Sequence, residues 1–123
     1  MKTSLSRRRG GVLLHPSSLP SAGYSGDFGA DARRFVDLMA TAGLQIWQVL
    51  PLGPTHADLC PYQSFSVHAG NVDLIDLQWL VQKGWLPQAE ADQGQSAPRR
   101  KRRALDLASK AFFREVETAV DSP

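Results

Sequence analysis

Gly11 to His15 reads GVLLH, a short apolar run closed by Pro16 and the turn-rich stretch PSSLPSAGYSGDFG. That pattern predicts a buried strand ending at His15, followed by a long structured loop. From Ala30 to Ala42 the apolar residues Ala32, Phe35, Val36, Met39 and Ala42 recur at steps of three and four. Gly43 then stands where a left-handed C-cap belongs, which predicts a helix. Ile46, Trp47, Val49 and Leu50 make a β-rich apolar run that Pro51, Gly53 and Pro54 terminate, so strand two is expected to end near Leu50. Strand, loop, helix, glycine turn and strand together form a βαβ unit, which implies parallel strands. Farther on, Asp76 is placed to N-cap a short helix through Trp79, Leu80 and Val81 that Gly84 closes. Residues 87–97 lack apolar content and read as a linker. Pro98 to about Val120 sets Leu105, Ala108, Phe112, Val116 and Ala119 on one face of an amphipathic helix, with Ser96 as a candidate cap.

The composition, 42% hydrophobic and 21% charged over 123 residues, is that of one ordinary globular domain. No run approaches the roughly 18 apolar residues of a membrane span, and the Arg-rich start leads into too short a run for a signal peptide. The single cysteine, Cys60, excludes an internal disulfide, and a lone thiol without a secretion signal fits a cytoplasmic protein. A formal charge of +2 hides an uneven distribution. Nine of the 14 basic residues lie at Lys2, Arg7 to Arg9 and Arg99 to Arg103, whereas residues 10–98 hold three basic against eight acidic residues. Two short clusters do not make the basic face that nucleic acid requires. The 99–103 run is expected to be a solvated helix start, with nucleic-acid association as the weaker alternative.

The stretch LCPYQSFSVHAGN, residues 59–71, has neither a period of two nor helical spacing and is expected to be a loop. Four blocks carry a resemblance: GVLLHPSSLPS (11–21), GDFGADARRFVDLMATAG (26–43), WQVLPLGPT (47–55) and PYQSFSVHAGN (61–71), followed by LIDLQWLVQKGWL. In this order and spacing the chain resembles the N-terminal segment of the amylomaltases, or 4-α-glucanotransferases, of glycoside hydrolase family 77. The resemblance implies an α/β fold, a partial (β/α)8 TIM barrel containing its first two parallel strands, plus a C-terminal amphipathic helix. It divides the chain into a basic tail (1–9), the start of the barrel (10–86), the linker (87–97) and a helix opening an inserted helical subdomain (98–123). A full barrel needs roughly 250 residues, so the chain reads as a fragment.

The activity implied is transfer of α-1,4-glucan segments with retention and without a cofactor. Such chemistry needs a nucleophilic and an acid/base carboxylate about 5 Å apart. The family draws both from later strands, so no catalytic residue is assigned here and the chain alone is expected to be inactive. Asp27, Asp58, Asp73 and Asp76 are read as turn or cap residues. Tyr62 matches the tyrosine of the family's Pro-Tyr-Gln motif, which lines the donor subsite, and is the candidate substrate-binding residue with Pro61 and Cys60. Cys60 stands where the family usually has serine, exchanging a good hydrogen-bonding hydroxyl for a weak thiol. The implied partner is a maltooligosaccharide or α-1,4-glucan. The alternative is a non-catalytic glucan-binding module, or one half of a split enzyme paired with a complementing chain. His15, His56 and His68 have no metal-ligand spacing, so no metal is expected. Trp47 is read as core and Asn71 as a turn former.

Overall fold

The computed structural model describes residues 8–120, so most of the 1–9 tail and the last residues of the expected 98–123 segment lie outside the described residues. Strand β1 (Gly11–Leu13) pairs in parallel with β2 (Ile46–Gln48), with Val12 level with Trp47. Helix α1 (Ala30–Thr41) connects them, so the predicted βαβ order holds. Both strands are shorter than expected, stopping at Leu13 rather than His15 and at Gln48 rather than Leu50. His15 has left the ladder: its Nδ1 lies 2.7 Å from the Ser17 hydroxyl, and it caps the 3-10 turn Pro16–Ser18. After Gln48 the prolines at 51 and 54 cannot donate to a ladder.

Trp47 lies between sheet and helix. Its ring meets Phe35 of α1 edge-on at 5.0 Å, and its indole N–H donates to the Leu14 carbonyl at 2.7 Å. The reading of Trp47 as a packing residue agrees with this arrangement. Helix α1 ends as expected, with Gly43 at a positive φ of 74°. The two-stranded sheet itself remains open, with Leu13 57% and Ile46 38% exposed. A pair this small has little stability of its own.

The buried core lies elsewhere. Helices α2 (Leu77–Gln82), α3 (Gln88–Gly94) and α4 (Pro98–Val120) enclose Leu77, Leu80, Leu86, Ala91, Ala104 and Ala108. Asp76 caps α2 by accepting from the Gln78 N–H at 2.9 Å, as its position predicts. The 87–97 stretch corrects the linker reading. It carries α3, because a fully buried Ala91 is apolar surface enough when small residues let neighbouring helices approach closely. Ser96 does not cap α4; its hydroxyl donates to the Gln93 carbonyl at 2.7 Å.

The 99–103 run also needs correction, because Lys101 is only 3% exposed. It shares a helix face with Ala104 and Ala108, three and seven residues on, and those small side chains draw that face against the body. The Lys101 ammonium donates to the Asp73 carbonyl at 2.6 Å and to Asp27 Oδ2 at 3.2 Å. The expected stripe on α4 divides in two. Ala108 is buried, while Phe112, Val116 and Ala119 are exposed, Phe112 meeting the Trp85 ring between α2 and α3 edge-on at 4.9 Å. Among the described residues no helix is long and apolar enough to cross a membrane.

Candidate functional site

The loop from Leu52 to Asn71 leaves the C-terminal end of β2 and returns to its own base, where the Asn71 N–H donates to the Leu52 carbonyl at 2.8 Å. Its middle is tied by the antiparallel bridge of Thr55 with Ser64 and by the Phe65 N–H donating to the Pro54 carbonyl at 3.0 Å. The Ser64 hydroxyl donates within the same knot to the Ser66 carbonyl at 2.8 Å, with the Pro54 carbonyl an alternative acceptor at 3.1 Å. Gly53 permits this closure: a Cβ there would lie 2.1 Å from Ser64 Oγ and 2.3 Å from the Ser66 carbonyl oxygen. Ser64 and Ser66 of the stretch therefore serve to bond the loop to itself. Asn71 acts as read from sequence, its side chain accepting from the Asp73 N–H at 2.9 Å to start the 3-10 turn Val72–Leu74.

Cys60, Pro61 and Tyr62 occupy the far end of this loop. Asp58 Oδ1 accepts from the Cys60 N–H at 3.1 Å, and the Gln63 N–H donates to the Cys60 carbonyl at 3.2 Å. These two bonds fix a turn that carries Tyr62 at its crest. Tyr62 is 77% exposed. Cys60 is a free, partly exposed thiol. Leu59, one residue before, holds φ at 58°, a left-handed conformation that costs an L-residue with a Cβ energy.

The four acids divide by role. Asp27, Asp58 and Asp76 accept from backbone N–H groups at turns or caps, as their positions suggest. Asp73 departs from that reading. Its carboxylate is buried, accepts from the Tyr24 hydroxyl at 3.2 Å and faces Arg102 at 3.7 Å. Burial and the Asp73 charge together push the Tyr24 phenol well above its ordinary value. Burial lowers the His15 imidazole below its usual 6.5. Among the described residues no group of three or more histidine, cysteine or acidic side chains is placed to hold a metal.

Two clefts adjoin the loop. One of about 470 Å³ lies at its base, between Leu52 and Asn71 on one side and Phe28, Arg33 and Trp79 on the other. A second, of about 420 Å³, separates His56, Ala57 and Leu59 from the start of α4, with Arg99 and Arg102 on its far wall. His56 also packs against Phe65, ring centroids 3.8 Å apart and planes tilted by 47°. Sequence reasoning assigned His56 no role, and no local signal connects it with arginines more than forty residues away.

Comparison with known proteins identifies the lineage. A sequence model described as 4-alpha-glucanotransferase matches residues 14–122. The Synechocystis 4-alpha-glucanotransferase is 46% identical over 89 residues, covering 72% of this chain and 18% of that protein. Its Thermus thermophilus counterpart is 47% identical over 91 residues, covering 68% of this chain and 18% of that protein. Among solved structures, the amylomaltase from Streptococcus agalactiae in complex with acarbose superimposes with a TM-score of 0.79 at 34% identity. That match covers 88% of this chain and 24% of the other. The chain thus spans about one fifth of the length of these relatives.

Proposed function

We propose that this chain, which belongs to the 4-alpha-glucanotransferase family of glycoside hydrolase family 77, forms two adjoining strands and one sugar-facing wall of an enzyme that moves segments of α-1,4-glucan between acceptor chains. In this reading β1 and β2 are the first two strands of a (β/α)8 barrel started by residues 10–86, and α4 opens an inserted helical subdomain. Their parallel register and the long loop after β2 support it, since barrel chemistry lies at the C-terminal ends of the strands. The substrate is a maltooligosaccharide, and the reaction proceeds by double displacement through two carboxylates that this chain does not itself contribute.

The observation that carries the reading is Tyr62: an aromatic residue 77% exposed on a loop bonded to itself at its base and its middle. Such a residue offers a rigid flat face to a sugar and loses little entropy on binding. Pro61 restricts the turn beneath it, and Cys60 replaces a hydroxyl contact with a weaker thiol one. Titration calorimetry with maltoheptaose tests the assignment. One aromatic contact is worth about 1 kcal/mol, so Tyr62→Ala is expected to weaken binding about fivefold. Equal binding by Tyr62→Ala, or none by the wild-type chain, refutes it.

Because Asp27, Asp58, Asp73 and Asp76 are engaged in caps and ion pairs, the 123-residue chain alone is expected to release no glucose from maltotriose. Appearance of glucose and longer maltodextrins would overturn that expectation. A second reading, in which a complementing chain adds further strands, is favoured by the exposure of Leu13 and Ile46 on the open sheet. Sedimentation of the chain mixed with the remaining segment of a relative tests it, and two separate boundaries reject it.

A further inference from the structure

The cleft between the loop and α4 carries a charge pattern unlike the rest of the body. Residues 10–98 hold eight acids against three basic residues, yet the lining of this cleft contains no carboxylate. Its polar groups are His56 on the loop side and Arg99 and Arg102 on the helix side. The two arginines are three residues apart and therefore share a face of α4. Arg102 pairs with the Asp73 carboxylate through one guanidinium nitrogen at 3.7 Å, and its side chain remains 62% exposed. The remaining wall is apolar, formed by Ala57, Leu59, Ala97 and Pro98. A volume of about 420 Å³ accommodates a monosaccharide with a substituent. The same loop segment leads within a few residues to Tyr62.

We propose that this cleft binds a phosphate monoester of a hexose, the phosphoryl group between Arg99, Arg102 and His56 and the sugar against Leu59 and Pro98. Planar guanidinium groups match phosphate oxygens bidentately, and the apolar wall suits the C–H face of a pyranose ring. The phosphorylated hexose is either a free sugar phosphate or a phosphorylated residue within a glucan. The sugar half of the inference rests on the glucan-binding reading of the loop; the anion half does not.

Calorimetry on the full 123-residue chain tests it with four probes: glucose 6-phosphate, glucose, inorganic phosphate and a phosphorylated maltooligosaccharide. Saturable binding of glucose 6-phosphate is expected to exceed that of both glucose and inorganic phosphate, and to weaken steeply as salt rises. Arg99→Gln is expected to raise the dissociation constant about tenfold, the loss of one charge-assisted contact. Arg103→Gln removes the same charge from the same run outside the cleft lining and is expected to leave binding unchanged. Equal weakening by both variants means diffuse electrostatics and overturns the site. Inorganic phosphate binding as tightly as glucose 6-phosphate overturns sugar recognition, and no saturable binding of either overturns the whole. Preference for the phosphorylated maltooligosaccharide assigns the glucan as source; preference for glucose 6-phosphate assigns the free sugar. Maltoheptaose binding lost in Tyr62→Ala but kept in Arg99→Gln keeps failure of this inference distinct from failure of the glucan reading.

Discussion

Replacing Lys101 by methionine keeps the buried aliphatic stem and removes only the ammonium. Lys101 is 3% exposed, and its ammonium donates to the Asp73 carbonyl at 2.6 Å and to an Asp27 carboxylate oxygen at 3.2 Å. Its loss leaves a buried carbonyl without its charged donor, a deficit of about 1.5–3 kcal/mol. Removing one partner of a fully buried ion pair costs about 3–5 kcal/mol. The Asp27 side chain retains 23% exposure, however, so water recovers part of that sum. The expected destabilisation of Lys101→Met is therefore about 2–3 kcal/mol. It reads as a fall in the urea midpoint followed by circular dichroism, at unchanged denaturant slope. Asp27→Asn closes a double-mutant cycle: its amide oxygen still accepts from the Gly29 N–H while the charge is gone, so the double variant is expected to lose less than the sum of the singles. If Lys101→Met lies within about 0.5 kcal/mol of wild type, the range of an unremarkable surface change, the amine is in solvent and the clamp does not exist.

Leu59→Asn places at the left-handed position a residue that tolerates it and is expected to stabilise the chain by about 1 kcal/mol, visible as a higher urea midpoint; a lower midpoint refutes the strain. Ala104→Leu forces a larger side chain into a site with no exposure, at an expected cost of about 1–3 kcal/mol in the same assay, and a neutral result would mean α4 stands off from α2 and α3. Tyr24 titrates above its ordinary 10.0 in the folded chain because of burial and Asp73, so its contribution to stability is complete below 10.0 and is lost as pH rises above it, when the unfolded chain ionises first. Urea midpoints on either side of 10.0 are expected to fall more in the wild type than in Tyr24→Phe, and parallel falls refute the assignment.

Elements specified by local pattern were legible in the chain. Helix α1 with Gly43, the Asp76 cap, the span of α4 and the parallel order of β1 and β2 all follow from spacing and turn chemistry over a few residues. The lineage was equally readable from the glycines, prolines and aromatics of residues 11–71. Two readings failed for one reason. In α3 and in the 99–103 run, composition describes what a segment is made of, while burial depends on what packs beside it. A polar helix with one alanine inward and a lysine threaded between two aspartate residues both read as solvated until their neighbours are known. The Tyr62 loop could be recognised as a loop but not as a self-bonded one, since the Asn71 to Leu52 closure spans nineteen positions.

The amino-acid order alone therefore determined the two strands, helices α1, α2 and α4 and the family, because propensity, capping and motif spacing act over short distances. The tertiary structure alone decided where the core lies, which cation of a five-residue basic run is buried, and that His56 faces Arg99 across a cleft. Those outcomes depend on contacts between residues far apart in the chain, whose closure no local periodicity encodes.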